Sequence, residues 1–408
     1  MTLSFTIDRG GLSPSRLLLR AVLGLLLVTS ATAGDNHTTN PERLLAPLVN
    51  TNTGTRNVTG LNKARSLLVP EFETLGYETT TYRLPEGRQV VSFQFPDTKP
   101  DIMLLGHIDT VFPADSPFKT LRIAGGRLFG PGVIDMKGGI TLILDILARL
   151  DTRIRRQIRI VLNDDEEIGS PYTLPTLREL AGGMRFGLVF EPGLPDGALV
   201  TSQSGVVWLD LEVTGKEAHA GLEPEKGINA CVELSHKVVS LAALTDYKRN
   251  LTVNTGVLRG GTKPNVVCKK ALARLDVRYV DPRDLETLTQ RIREIAMRMT
   301  VRNPDSSIGL SAKLKEIVML PSLTSKNTRS IFEVARKAAQ TLGQTITGRH
   351  VGYASNANQL TDTGVELLVG LGPYGGGMHT DQEFMSIAAY QKRLQLGIEL
   401  IRSLTRSR

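Results

Sequence analysis

From about residue 41 the chain alternates two kinds of apolar pattern. Short, largely apolar runs occur at 102–105, 158–162, 186–190 and 366–369. Stretches with helical spacing separate them, as at 61–75 and after Gly139, where Ile140, Ile143, Leu147 and Leu150 fall on one face. Runs this apolar, without strict alternation, suit strands covered on both faces, as in a largely parallel sheet between helices. Past about residue 205 the pattern changes. Residues 207–213 alternate, 229–244 read as helix, 251–258 and 271–280 as strands, 284–299 as helix and 307–314 as strand. That order, β-α-β-β-α-β, is the ferredoxin-like arrangement. The pattern predicts an α/β body with a mostly parallel central sheet in two pieces, 34–204 and 316–408. An inserted α+β module at 205–315 interrupts it.

The first residues read differently. Arg16 and Arg20 precede an apolar stretch at 21–28, and small residues ending Ala31-Thr32-Ala33 follow. A basic start, a short apolar core and an Ala-x-Ala end predict a secretory leader, residues 1–33, cut after about Ala33. The apolar segment falls short of the ~20 residues a membrane span needs. The mature chain is therefore expected to be secreted or periplasmic, with no stable membrane partner. Composition adds exclusions. With 41% hydrophobic and 22% charged residues in 408, the chain has globular usage. An aromatic share of 5% argues against base-stacking platforms, and the net charge of +8 is scattered, so no nucleic-acid partner is expected. The two cysteines, Cys231 and Cys268, are too few for a disulfide scaffold. In an oxidising compartment they either pair or stay as buried thiols, and spacing leaves both open.

Candidate chemistry gathers where the apolar runs end. His107 and Asp109 close the first run and, two apart on extended backbone, point the same way. Asp135 lies in a glycine-rich turn just before the helix that Ile140 begins, where it can cap the helix or bridge two cations. Asp164, Asp165, Glu166 and Glu167 follow the 158–162 run. Four adjacent carboxylates repel, and their pKa values rise without a cation. Glu191 ends the 186–190 run, and a glycine-rich loop, 370–377, delivers His379. Only six histidines occur in the chain, so finding two of them in these loops is informative. Two imidazoles and three carboxylates suit two divalent cations sharing one bridging carboxylate. Zinc fits this mixed nitrogen and oxygen set, with cobalt or manganese also suitable.

These residues resemble the dinuclear-zinc M20 metallopeptidase family, in its glutamate carboxypeptidase (carboxypeptidase G2-like) branch. The resemblance rests on Gly106-His107-Ile108-Asp109-Thr110, the turn 130–139, Asp165-Glu166-Glu167-Ile168-Gly169-Ser170, Phe190-Glu191-Pro192 and Gly377-Met378-His379-Thr380. Inside the module, Gly215 to Gly221 and Pro264-Asn265-Val266-Val267 match as well. The resemblance implies a zinc-exopeptidase-like catalytic domain with an inserted ferredoxin-like lid that also dimerises. It implies that His107, Asp135 and Glu191 bind one zinc and that Asp135, Glu167 and His379 bind the other. Glu166 would be the general base and Asp109 would orient His107. His219 would reach a substrate in the partner subunit's site, and Asn265 and Arg278 would be substrate contacts.

The activity so implied is hydrolysis of an amide bond, releasing a C-terminal amino acid from small peptides or N-acyl amino acids. One alternative is an N-acyl amino-acid deacylase. Another, of a different class, is a non-catalytic metal- or peptide-binding protein, which would have lost Glu166 or a ligand. Two departures bear on substrate. The stretch Glu316 to Pro321 lacks the arginine by which glutamate-releasing relatives grip a carboxylate. Ser355-Asn356-Ala357 also carries an amide where the family has an acid.

Overall fold

The computed structural model describes residues 41–406, so the expected leader lies outside the described residues. Six strands form the central sheet in the order Glu78–Arg83, Gln89–Gln94, Ile158–Asn163, Ile102–His107, Phe186–Val189, Glu366–Leu368. The last four run parallel, with Ile102 opposite both Ile158 and Phe186, and Glu366 opposite Phe186. Ile102–His107 and Phe186–Val189 are buried along their whole length. The first two strands are antiparallel to their neighbours, so the sheet is mixed. A search for apolar runs passes over Glu78–Arg83 because it is a polar edge strand facing solvent.

Helix Lys137–Ala148 is buried from Lys137 to Leu147. Helices Pro41–Val49 and Ile387–Arg406 pack against it, and it touches the Ile102–His107 strand. A helix buried on all sides is a core element. Each fully buried Ile or Leu on it contributes roughly 1.5–3 kcal/mol.

The second sheet has the order Thr252–Gly260, Lys270–Tyr279, Gly205–Thr214, Ser311–Leu320, with every neighbour antiparallel. Helices Ala230–Ala242 and Pro282–Met297 pack on it around a separate core that includes Leu211, Leu234, Leu275 and Ile292. The fourth strand departs from the sequence expectation of 307–314. It starts at Ser311 because Asp305 Oδ1 accepts from Ser307 N and Oγ, making a turn. It ends at Leu320, past the boundary placed at 315; a register irregularity between Glu316 and Val318 obscures its alternation. Cys231 and Cys268 form a disulfide.

A small antiparallel sheet orders Gly375–Gly376, Phe384–Ser386, Arg127–Phe129 and Arg122–Ala124. It fastens the C-terminal glycine-rich loop to the loop that follows Phe129, with Met385 opposite Leu128. Among the described residues no helix is long and apolar enough to cross a membrane.

Candidate metal centre

Three neighbouring parallel strands deliver side chains at their carboxyl ends. Ile102–His107 ends on His107, Ile158–Asn163 runs into the Glu166–Ile168 turn, and Phe186–Val189 leads to Glu191. The loops at strand carboxyl ends are where open α/β sheets place ligands. Asp135 comes from the loop before helix Lys137–Ala148. It does not cap that helix, whose cap position is Met136 with no side-chain bond. The Asp135–Met136 peptide is cis. His379 adopts φ 64°, two residues after Gly377. At Gly377 φ is +70° and an added Cβ would lie 2.5 Å from Gln382 O, so the reversal needs glycine.

Asp135 sits between two imidazoles. Its Oδ1 is 3.2 Å from His107 Nε2 and its Oδ2 is 3.2 Å from His379 Nε2. On the outer sides, His107 Nε2 lies 3.6 Å from Glu191 Oε1, and His379 Nε2 lies 3.4 Å from Glu167 Oε2. Two half-sites thus share one carboxylate. Glu166 stands beside the first: ligand atoms of His107, Glu166 and Glu191 lie within 4.8 Å of one another, as do those of His107, Asp135 and Glu167. The pairwise contacts assign Glu167 to the His379 side, because its closest imidazole approach is to that ring.

Charge follows from this crowding. Burial pushes the Glu166 carboxyl well above the usual range, and Glu191, Glu167 and Asp109 push the same way. Burial likewise raises Glu191, and lifts Glu167 to about 7. Burial also opposes ionisation of Asp135, but hydrogen bonds from both imidazoles hold its carboxyl low. His379 is pushed up to about 10, first by Asp135 and then by Glu167. Burial works against a charged His107, yet Glu191, Asp109 and Asp135 raise it. The site therefore gathers protons in place of other cations. Glu167 Oε1 is buried without a hydrogen-bond partner among the described residues. An unsatisfied buried carboxylate oxygen is costly, whereas a cation would satisfy it. The nitrogen and oxygen donors here fit a pair of divalent cations sharing Asp135.

Around these groups lies a fixed scaffold. His107 Nδ1 is 3.0 Å from the Asp109 backbone oxygen, with Asp109 Oδ1 farther, at 3.4 Å. The Asp109 carboxylate instead accepts from Glu166 N at 3.1 Å, Glu167 N at 3.2 Å and Thr55 Oγ1 at 2.8 Å. Asp109 therefore orients His107 largely through its main chain, while its side chain clamps the Glu166–Glu167 turn. Of the acidic run, Asp164 is tied to Arg65 at 2.6 Å. Asp165 accepts from Tyr172 N and Thr173 N, so these two acids are structural.

Glu383 supports the centre without standing out by residue pattern. It is fully buried and accepts from Gly132 N, Ile134 N and Asp135 N, so it holds the loop that places Asp135. Its position four residues after His379 was the available signal. Thr55, 54 residues before Asp109, gave none.

The module residues stand apart. His219 is exposed, and its Nδ1 accepts from Gly221 N and Leu222 N. Asn265 is exposed beside it, across a bridge from His219 to Val266. Neither has a hydrogen bond or ion pair to the centre among the described residues. Arg278 is engaged by Asp276 at 2.7 Å and donates to Gly352 O at 3.2 Å, which joins the module to the body.

Comparison with known proteins shows the family. The model of peptidase family M20/M25/M40 matches residues 103–403. Carboxypeptidase G2 of Pseudomonas sp. (strain RS-16) is 29% identical over 374 residues, covering 89% of this chain and 88% of its own length. An acetylornithine deacetylase of Proteus mirabilis is 28% identical over 260 residues, covering 59% of this chain and 66% of its own. The crystal structure of aminopeptidase PepT from Bacillus cereus has a TM-score of 0.73 at 22% identity, covering 90% of this chain and 99% of that one. The chain belongs to peptidase family M20/M25/M40, whose members are hydrolases acting on peptide or amide bonds.

Proposed function

We propose that this protein is a dinuclear metal-dependent exopeptidase that releases the C-terminal residue of small peptides or N-acyl amino acids. The observation that carries the reading is Asp135 held 3.2 Å from each of two imidazoles, with Glu191 and Glu167 on the outer sides. His107, Asp135 and Glu191 would hold one cation, and Asp135, Glu167 and His379 the other. Zinc suits these donors, and cobalt or manganese also would. Such cations, when bound, supply Lewis acidity that polarises a carbonyl and lowers the pKa of water.

The proton work belongs to Glu166. Its carboxyl is buried among other acids and binds a proton readily. It takes the proton of the attacking water and delivers it to the leaving amine nitrogen. Asp109 keeps it in register by accepting its backbone N–H. His219 is assigned as an oxyanion donor supplied by a second subunit. Two backbone N–H groups occupy its Nδ1, so the free donor is Nε2–H. Val232 and Val239, exposed on helix Ala230–Ala242, support a homodimer formed through the module. The leader pattern and the Cys231–Cys268 disulfide support a secreted or periplasmic location.

Likeness to a carboxypeptidase across most of the chain supports release of a C-terminal residue. A deacylase is the second reading, favoured by the likeness to an acetylornithine deacetylase. A panel of dipeptides, N-acetyl amino acids and C-terminally amidated peptides, assayed with and without chelator, separates the two. Cleavage of dipeptides that fails on amidated ones supports the exopeptidase. Turnover confined to N-acetyl amino acids supports the deacylase, and chelator-insensitive turnover would overturn the metal assignment.

A further inference from the structure

The inserted module carries an exposed ribbon that meets the module core only at its base, where Cys268 is buried. Ala220 N donates to Asn265 O, and Val267 N to Ala218 O, each at 3.0 Å, which sets His219 opposite Val266. Residues 219–226 and 261–265 are exposed throughout. Segments with so little buried apolar surface open readily unless something else ties them down.

A disulfide ties this one. Cys268 ends the loop that carries Asn265, and Cys231 lies in the first turn of helix Ala230–Ala242. That helix is anchored in the module core through Ala230, Leu234 and Leu241. Its start is capped by Asn229, which accepts from Cys231 N at 2.9 Å and Val232 N at 3.1 Å. Ala230 N also donates to Cys268 O at 2.8 Å. The opposite end of the loop rests on the same sulfurs. A Cβ at Gly260 would lie 2.6 Å from Cys231 Sγ, and one at Gly261 3.8 and 3.9 Å from the two sulfurs. Both ends of the loop therefore meet one bridge, and that bridge leads to the core.

We propose that the Cys231–Cys268 disulfide is a positioning element of the hydrolytic site, fixing the ribbon that presents His219 Nε2 and Asn265. This rests on the reading of His219 as an oxyanion donor. An oxyanion donor acts through preorganisation, so loosening its mount weakens the transition state more than it weakens metal binding. Reduction cleaves the S–S bond with two electrons and two protons. With tris(2-carboxyethyl)phosphine, the phosphine and one water supply them, and the phosphine becomes its oxide.

The test uses the metal-loaded full-length protein before and after phosphine treatment, with thiols counted, and the double variant C231S/C268S. On the best substrate of the panel, kcat should fall about fivefold or more, below the roughly 10²–10³ cost of deleting an oxyanion donor outright. KM should stay within about twofold, as for a contact realised in the transition state, and metal content should not change. Reoxidation should restore the reduced wild type, and the double variant should ignore the phosphine. Unchanged kcat with two thiols titrated overturns the proposal, even if the melting temperature falls, because that result marks a structural staple only. Should the double variant fail to fold, the reduction and reoxidation series on the wild type still decides. His219→Ala separates the two readings. If it retains kcat, the oxyanion assignment fails and this inference with it; if it loses kcat while reduction has no effect, this inference fails alone.

Discussion

Within the centre, each side chain has a task set by its neighbours. Glu166 and Glu167 are adjacent in sequence, yet Glu167 lies against His379 while Glu166 does not. That division follows from the turn clamped by Asp109. Replacing Glu166 with Gln should keep the metal and lower kcat by about 10³-fold, the scale of lost general-base catalysis. Metal analysis beside steady-state kinetics checks this, and near-wild-type turnover would remove Glu166 from the mechanism. A second expectation concerns protons. His379, raised to about 10, and Glu167, raised to about 7, carry protons in the metal-free site that a cation must displace. Raised values mean tighter proton binding, so apparent metal affinity should weaken as pH falls below about 10, where His379 takes its proton, and more steeply below about 7, where Glu167 does. Zinc titration calorimetry in two buffers of different ionisation enthalpy counts the released protons. Identical heats in both would contradict the assigned protonation.

Between elements, close packing converts strand ends into a site. Helix Lys137–Ala148 begins against the end of the strand that leads to Glu191. A Cβ on Gly139 would lie 2.3 Å from Phe190 O and 3.0 Å from Met136 Cε. Gly139→Ala should therefore destabilise the protein by about 1–3 kcal/mol, the usual cost of overpacking. It should also weaken metal binding, because Phe190 and Met136 adjoin Glu191 and Asp135. Urea unfolding and a zinc titration measure the two effects, and an unchanged urea midpoint would mean that the helix start is not tightly seated. The small sheet matters in the same way. Phe384 pairs with Phe129, and the loop it anchors carries Glu383 under Asp135 and His379 over it.

For the whole molecule, cations held at the proposed centre would link the two pieces of the body, since His379 lies 244 residues beyond Asp135. Bound metal at 100 times its Kd stabilises the folded chain by about 2.7 kcal/mol. Chelation should thus lower the melting temperature by several degrees, and His379→Ala should shrink that shift. Calorimetric scans with and without chelator test it, and equal melting temperatures would argue against metal bound at the body's junction. Much of this was legible in the sequence, for physical reasons. Apolar runs mark buried parallel strands because both their faces are covered; His107, Glu166, Glu167 and Glu191 stand out as polar groups just past the ends of such runs, and Asp135 and His379 as polar groups in glycine-rich loops. Alternation within 207–213 and 271–280 marks sheet strands with one covered face. The polar edge strand Glu78–Arg83 left no such mark, since nothing covers it. Pairing of Cys231 with Cys268, the clamp of Asp109 on the Glu166 turn and the support of Asp135 by Glu383 were decided only by tertiary structure. Each joins segments distant in the chain, and local pattern carries residue type and spacing but not which distant partners meet.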